Sequence, residues 1–368
     1  MTTLICNNHG YIALSIFIAI VALMVMILVH ESGHYLVGKL LKFKINEFSI
    51  GFGPKLFSRR SKKTGELFAI RAIPLGGFCA FEGEDQDSKV EGAFNSQKPW
   101  KRILVLLAGV TFNFLSAVII LTILFATYGY TLPSVDTLDE SPEGFEQNFQ
   151  VGDIIYEVNG SKVYSLLNTN LNTLLSAAGD SAEVVVIREG KKTTITVYRA
   201  EFDTEETAED GTKTVKKTKR YGVSMIRYVD YRLGFGEALG RSFVFIWQLV
   251  ILTFKTIGGL FTGAVGLKGS VGGTVTSVAA MGSITMHLGF RGVLLMFGIM
   301  SASVALMNIL PFPALDGSRI IFVLIEAIFR KPVNRNVEAI IHTVGIVILF
   351  AFAILCDILN IGTISKLF

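Results

Sequence analysis

The chain has 368 residues, 51% of them hydrophobic and only 17% charged. Soluble domains carry about 25% charged residues, so the composition excludes both a disordered chain and a single soluble globule. The formal net charge of +4 matters less than its placement: 13 of the 34 Lys and Arg fall in 30–102 and 13 in 131–241, which leaves apolar stretches between two polar blocks.

Four uncharged runs have the length needed to cross a bilayer: 12–29, 103–128, 293–310 and 339–356. A span takes roughly 17–25 apolar residues for a hydrocarbon core of about 30 Å. The first run does not read as a cleaved signal peptide, because no Lys or Arg precedes it and charges rather than small residues follow it.

That first run closes on His30-Glu31-Ser32-Gly33-His34. On a helix, positions i and i+4 face the same way, so two imidazoles can bind one zinc while the glutamate between them serves as general base. At 1.5 Å per residue, His30 lies about 27 Å from the start of the run, near the far edge of the hydrocarbon. Ionisable residues at that depth are costly and point to function.

The block 43–82 reads as short strands, 48–53, 67–73 and 74–78, with glycine turns and apolar tips. Such a sheet edge can accept an extended peptide as an added strand. The polar block 131–241 alternates apolar and polar residues, with Gly160 and Gly190 at turns. Its stretch Val151-Gly-Asp-Ile-Ile-Tyr-Glu-Val-Asn-Gly160 is similar to a strand–turn–strand of PDZ domains, and Asn-Gly suits a turn with positive φ. A helix is expected over 165–178. The acidic 201–210 and basic 213–220 read as a solvated hairpin tip.

The apolar stretch 242–254 has only 13 residues between Arg241 and Lys255, which favours a helix lying along the membrane. Charge parity agrees. The loop 311–338 carries Arg319, Arg330, Lys331 and Arg335, placing it in the cytoplasm by the positive-inside rule. Four spans with both termini and 131–241 outside satisfy every loop. Cys6, Cys79 and Cys356 share no spacing pattern and read as buried or reduced thiols.

A hydrolytic zinc site needs a third protein ligand and an open position. His9, His287 and His342 are poorly placed for it. Asp316 is better, in Asn308-Ile-Leu-Pro-Phe-Pro-Ala-Leu-Asp-Gly317 at the end of the third run, because it reaches nearly the depth of His34. Pro311 and Pro313 break the helix there, and a break at that depth is tolerated only where it lines a cavity or is buried in protein.

These two motifs, together with Pro74–Phe78 and a PDZ-like insert between the second and third runs, resemble the site-2 protease family of intramembrane zinc metalloproteases. The narrower resemblance is to its bacterial regulator of sigma-E protease branch, in a form with one PDZ domain. It implies that His30, His34 and Asp316 hold zinc (Zn2+) and that Glu31 activates water. It implies also that 43–82 forms a membrane-re-entrant β element that presents substrate as a strand, with Gly76, Gly77 and Phe78 at the substrate. Asn113 matches a second-span asparagine that contacts substrate or the developing oxyanion, and Asn308, Pro311 and Pro313 match the third-span pattern. Where the family usually has two glycines after the aspartate, this chain has Gly317-Ser318.

The expected architecture is thus an α-helical multi-pass membrane protein of four transmembrane helices, with a re-entrant β element and an inserted extracytoplasmic PDZ-like β domain. Its parts run as a first helix (1–42), a cytoplasmic β segment (43–101), a second helix (102–130), the PDZ-like domain (131–228), an interfacial helix with a Gly-rich segment (229–291), a third helix (292–318), and a loop with the fourth helix (319–368). The resemblance implies a monomer in the bacterial inner membrane with no nucleic-acid partner. It would cleave transmembrane segments of pre-trimmed single-pass proteins, such as anti-sigma factors, or signal-peptide remnants. Two rival readings remain: a polytopic metal transporter, and an inactive membrane scaffold bearing a PDZ domain. The first would need ligands along a whole path, and the second has no use for all four site residues.

Overall fold

The computed structural model describes residues 2–84, 86–140, 142–164, 170–207, 213–331 and 333–362. The chain forms two compact units, Met1–Leu121 with Leu249–Phe368, and Thr122–Gln248.

The first unit is built on helices. Helix α1 (Thr2–Leu40) runs unbroken through the apolar stretch and the histidine motif. After it come β1 (Ile45–Arg60) and β2 (Leu67–Phe81), then α2 (Pro99–Thr127), whose first part belongs to this unit. β1 and β2 are longer than the short strands expected, because each bends instead of ending. Gly51, Gly53 and Gly76 take φ of 84°, 81° and 124° at the bends, values open to glycine without the Cβ penalty. The strands therefore fold back on themselves: Ile50 pairs with both Gly77 and Ile70, and Ser49 with both Phe78 and Ala69. The segment 77–81 ends up at one edge, paired through its residues only with β1 among the described residues. Phe43, Ile45, Phe81, Phe94, Val105, Leu106 and Val323 bury together and tie this sheet to the helices.

Three helices follow the second unit, α5 (Thr274–Leu288), α6 (Phe290–Ile309) and α7 (Asp316–Phe329), and α8 (Arg335–Leu359) closes the fold. α5 falls in what the sequence presents as a Gly-rich segment. Its small residues hide any apolar stripe, yet Met281 packs on Ala19 and Ala22 of α1. The carboxylate of Asp357 on α8 accepts from Thr276 N at 2.8 Å and Val275 N at 3.1 Å. Those are donors of the first turn of α5, which a helix cannot satisfy internally.

In the second unit β3 (Tyr130–Leu138), β4 (Ile154–Val158), β5 (Ser161–Lys162), β6 (Ser181–Arg188), β7 (Lys191–Tyr198) and β10 (Val223–Tyr231) form one sheet. Its order is β10-β3-β4-β6-β7, with β5 beside β4. β8 (Ala200–Thr207) and β9 (Lys213–Arg220) make a separate hairpin, as expected for 201–220; residues 208–212 between them lie outside the described residues. Alternation in β6 sends Ala182, Val184 and Val186 into the core. The turn at Asn159-Gly160 has φ of 46° and 75°, as the Asn-Gly pair suggests. Buried Asp153 accepts two 2.8 Å bonds from Arg188 and holds that guanidinium's pKa above its ordinary value. The helix expected over 165–178 is α3 (Leu171–Ala177), capped by Asn170; 165–169 lie outside the described residues.

One expectation changes. The 13-residue stretch 242–254 belongs to α4 (Phe235–Thr262), a helix of 28 residues. Among the described residues, five helices rather than four are thus long and apolar enough to cross a membrane by length and composition. Counting uncharged residues stopped at Arg241, but the helix carries that charge inside protein. Arg241 is 1% exposed, bonded to Glu237 at 3.2 Å and to the Val163 carbonyl at 2.9 Å, and stacked among Tyr130, Tyr156 and Tyr164. Cys79 and Cys356 are buried free thiols.

Candidate metal centre and its cleft

His30 and His34 sit one turn apart on α1, their rings 4.8 Å apart and nearly perpendicular. The third group comes from the distant break between α6 and α7. Leu310 turns extended after Ile309 and Ala314 takes a φ of 84°. The chain then re-enters a helix at Asp316, the first residue of α7. A carboxylate there suits the positive end of the helix dipole. Gly317 makes this return possible: a Cβ on it would lie 2.4 Å from the Ile309 carbonyl oxygen. The departure at Ser318 costs nothing visible, since its hydroxyl donates to the Leu315 carbonyl at 2.8 Å.

The three donor atoms form a near-equilateral triangle. Asp316 Oδ2 lies 3.1 Å from His30 Nε2 and 3.3 Å from His34 Nε2, and the two Nε2 atoms are 3.2 Å apart. Ligands held about 2.0–2.1 Å from a tetrahedral zinc are about 3.3–3.4 Å from one another, so the triangle is the size zinc requires. The second ring nitrogens agree. His34 Nδ1 is 2.8 Å from the Val105 carbonyl, which can only accept. The His34 proton is therefore on Nδ1, and its Nε2 lone pair faces the triangle. His30 Nδ1 faces the side-chain amide of Asn113 at 3.3 Å.

Space for this cluster comes from glycines. A Cβ on Gly109 of α2 would lie 2.4 Å from His34 Nε2 and 2.7 Å from His30 Cε1. A Cβ on Gly33 would meet the Ala108 carbonyl oxygen at 2.5 Å, so α1 and α2 touch backbone to backbone here. Small residues at such crossings are the usual means of close helix approach in membranes.

A cleft of about 560 Å³ opens on the triangle, lined by Glu31, Gly76, Gly77, Phe78, Asn308 and Asp316 among others. Glu31 lies beneath the edge segment of the sheet, its Cγ 3.4 Å from where a Gly77 Cβ would be. An ion pair between Arg319 and Glu84 borders the same cleft. Asn113 is fully buried and does not line it, and neither do Pro311 and Pro313. His342 stays apart from the triangle, 3.5 Å from Ser318.

Sequence reading missed Gly109, the Val105 carbonyl and the Arg319–Glu84 pair. Gly109 had a signal, a glycine four residues before Asn113 in an apolar run. A backbone carbonyl has none.

Two buried imidazoles, an ionisable third ligand and a neighbouring glutamate on a cleft define a zinc metallopeptidase centre. Comparison with known proteins narrows this further. The family model described as Peptidase family M50 matches residues 18–352. A Fusobacterium nucleatum protein named "Putative zinc metalloprotease" is 32% identical, covering 96% of this chain and all of that protein. Proteins of the same descriptive name from Clostridium perfringens (32% identical, 94% of this chain, 98% of that one) and Mesorhizobium japonicum (30%, 90% and 94%) are similar over comparable lengths. The chain belongs to peptidase family M50, the site-2 protease family. It is an integral membrane zinc metallopeptidase.

Proposed function

We propose that this protein is an intramembrane endopeptidase that cuts the transmembrane segments of single-pass substrates. The observation that carries the reading is that Glu31 and both histidines lie within an apolar helix, 12–40, long enough to span a membrane. A soluble substrate has no reason to be met at such a depth.

His30, His34 and Asp316 would hold the zinc, which when bound polarises a carbonyl and eases proton loss from water. The rest falls to the chain's own side chains. Glu31 takes the proton from water and passes it to the leaving amine nitrogen. A helical peptide bond is shielded, so the substrate must unwind before attack. The edge segment 77–81 is paired as a strand with β1 along one side, and a substrate strand added along its other side would replace hydrogen bonds the substrate helix loses. Asn308, which also lines the cleft, suits a contact with the extended substrate. The exposed apolar side chains of Phe52, Leu56, Phe57 and Ile73 on β1 and β2 suit a lipid setting for this sheet.

The basic residues of 311–338 favour a cytoplasmic placement of the site; with α4 lying along the membrane instead of crossing it, the PDZ-like unit falls outside, where it would admit only pre-trimmed substrates. In bacteria this suits the inner membrane and regulated cleavage of anti-sigma factors or signal-peptide remnants. The test is Glu31→Gln in proteoliposomes with a single-helix reporter. Cleavage within the helix should vanish while zinc stays bound; cleavage that persists refutes the role of Glu31, and cleavage confined to a soluble loop refutes the intramembrane reading.

A further inference from the structure

Asn113 is buried without any exposed surface, in the middle of an apolar helix, and its amide nitrogen is placed 3.3 Å from His30 Nδ1. Its amide oxygen is also buried and has no partner among the described residues. An orphaned buried carbonyl is costly. The two ends of an amide differ only by a half-turn about its last bond, and which end faces a neighbour is assigned from the hydrogen-bond network. Turned over, the oxygen accepts a hydrogen from His30 Nδ1 and the orphan disappears.

We propose that Asn113 is the positioning residue of the metal centre, its amide oxygen accepting the Nδ1–H of His30 and so keeping the Nε2 lone pair aimed at the zinc. The inference rests on the zinc site described above and assigns Asn113 a role away from substrate. His30 Nε2 is the atom that meets Asp316 and His34 at 3.1 and 3.2 Å. It can act as a ligand only if the proton sits on Nδ1. His34 has its proton fixed by a backbone carbonyl, whereas His30 has Asn113. Such partners of a ligating histidine set its tautomer and ring orientation.

Asn113 is itself held in place. Its backbone carbonyl accepts from Ser116 Oγ and from Ser301 Oγ of α6, both at 2.9 Å, and the two hydroxyls are 2.8 Å apart. The amide thus approaches His30 from a fixed point where α2 meets α6.

The test measures zinc affinity of the full chain in detergent micelles, by competition with a chromophoric chelator, alongside the thermal stability of the zinc-free protein. Asn113→Leu keeps the volume and removes the acceptor, and should weaken zinc binding about 10- to 100-fold. Asn113→Asp keeps an acceptor and should bind within about threefold of wild type. Nitrogen NMR of the zinc-free wild type, with His30 assigned against His30→Gln, should show the His30 proton on Nδ1. The proposal is overturned if Asn113→Leu binds as wild type does, if Asn113→Asp loses as much as Asn113→Leu, or if the proton lies on Nε2. Should Asn113→Leu fail to fold, the aspartate variant and the NMR tautomer decide. A wild type that takes up no zinc sinks the zinc site itself, a separate result.

Discussion

Gly109→Ala offers the sharpest test of how the metal centre is housed. In an ordinary helix interior this change is favourable by about 1 kcal/mol, because alanine is the better helix former. Here the new Cβ would sit 2.4 Å from His34 Nε2 and 2.7 Å from both Cε1 atoms of the pair. Ordinary contact begins near 3.4 Å, so something must move by roughly 1 Å. Parting the α1 and α2 backbones to absorb it would give up their close packing at Gly33 and Ala108. The rings must therefore give way, and metal ligands tolerate only about 0.2 Å of error. We expect zinc affinity to fall at least 100-fold, about 2.7 kcal/mol, with peptidase activity lost. The zinc-free protein should lose no more than about 1–3 kcal/mol, the usual cost of overpacking, and still melt cooperatively in micelles. Metal content after dialysis against a graded chelator, read beside a thermal melt, separates the two effects. A variant that keeps wild-type zinc affinity would refute the claim that Gly109 makes room for the ligands.

Other expectations follow from the same geometry. Prolonged treatment with a strong chelator should abolish peptidase activity, and zinc should restore it; activity that survives complete zinc removal would exclude the metal from the chemistry. Glu326→Ala leaves Arg102, 1% exposed and bonded to Glu326 at 2.8 Å, without its carboxylate, and should cost about 3–5 kcal/mol in a reversible unfolding assay. Asp357→Ala removes the cap of α5 and should cost about 1–2 kcal/mol, seen as a lower melting temperature in micelles with zinc affinity unchanged. A loss of zinc in that variant would mean that α5 bears on the centre through α1.

The parts legible in the sequence are those set by local rules. The apolar runs, the i and i+4 histidines, the proline break before Asp316 and the Asn159-Gly160 turn each need only neighbours along the chain. Helix ends and bent strands were less legible. Arg241 hid the length of α4, because a charge is read as a boundary until its partners Glu237 and Val163 are seen around it. Composition masked α5, whose glycine and hydroxyl residues blur any apolar stripe, although Met281 packs on Ala19 and Ala22 of α1. The likeness of Asn113 to a second-span asparagine that contacts substrate or the developing oxyanion gives its place in a span, but not the direction of its side chain, which meets His30 Nδ1 at 3.3 Å.

Residue type and spacing along the chain were enough to establish a membrane chain with a zinc-binding helix and a distant carboxylate to complete it. They could not set the 3.1–3.3 Å triangle, because that depends on the approach of α1, α2 and the α6–α7 break, which are far apart in sequence. The same holds for the protons of the site. His34 takes its tautomer from a Val105 carbonyl 71 residues away, and a backbone oxygen is common to every residue type. Chemistry is written in side chains, but the packing of helices at Gly33, Gly109 and Gly317 brings it to one point.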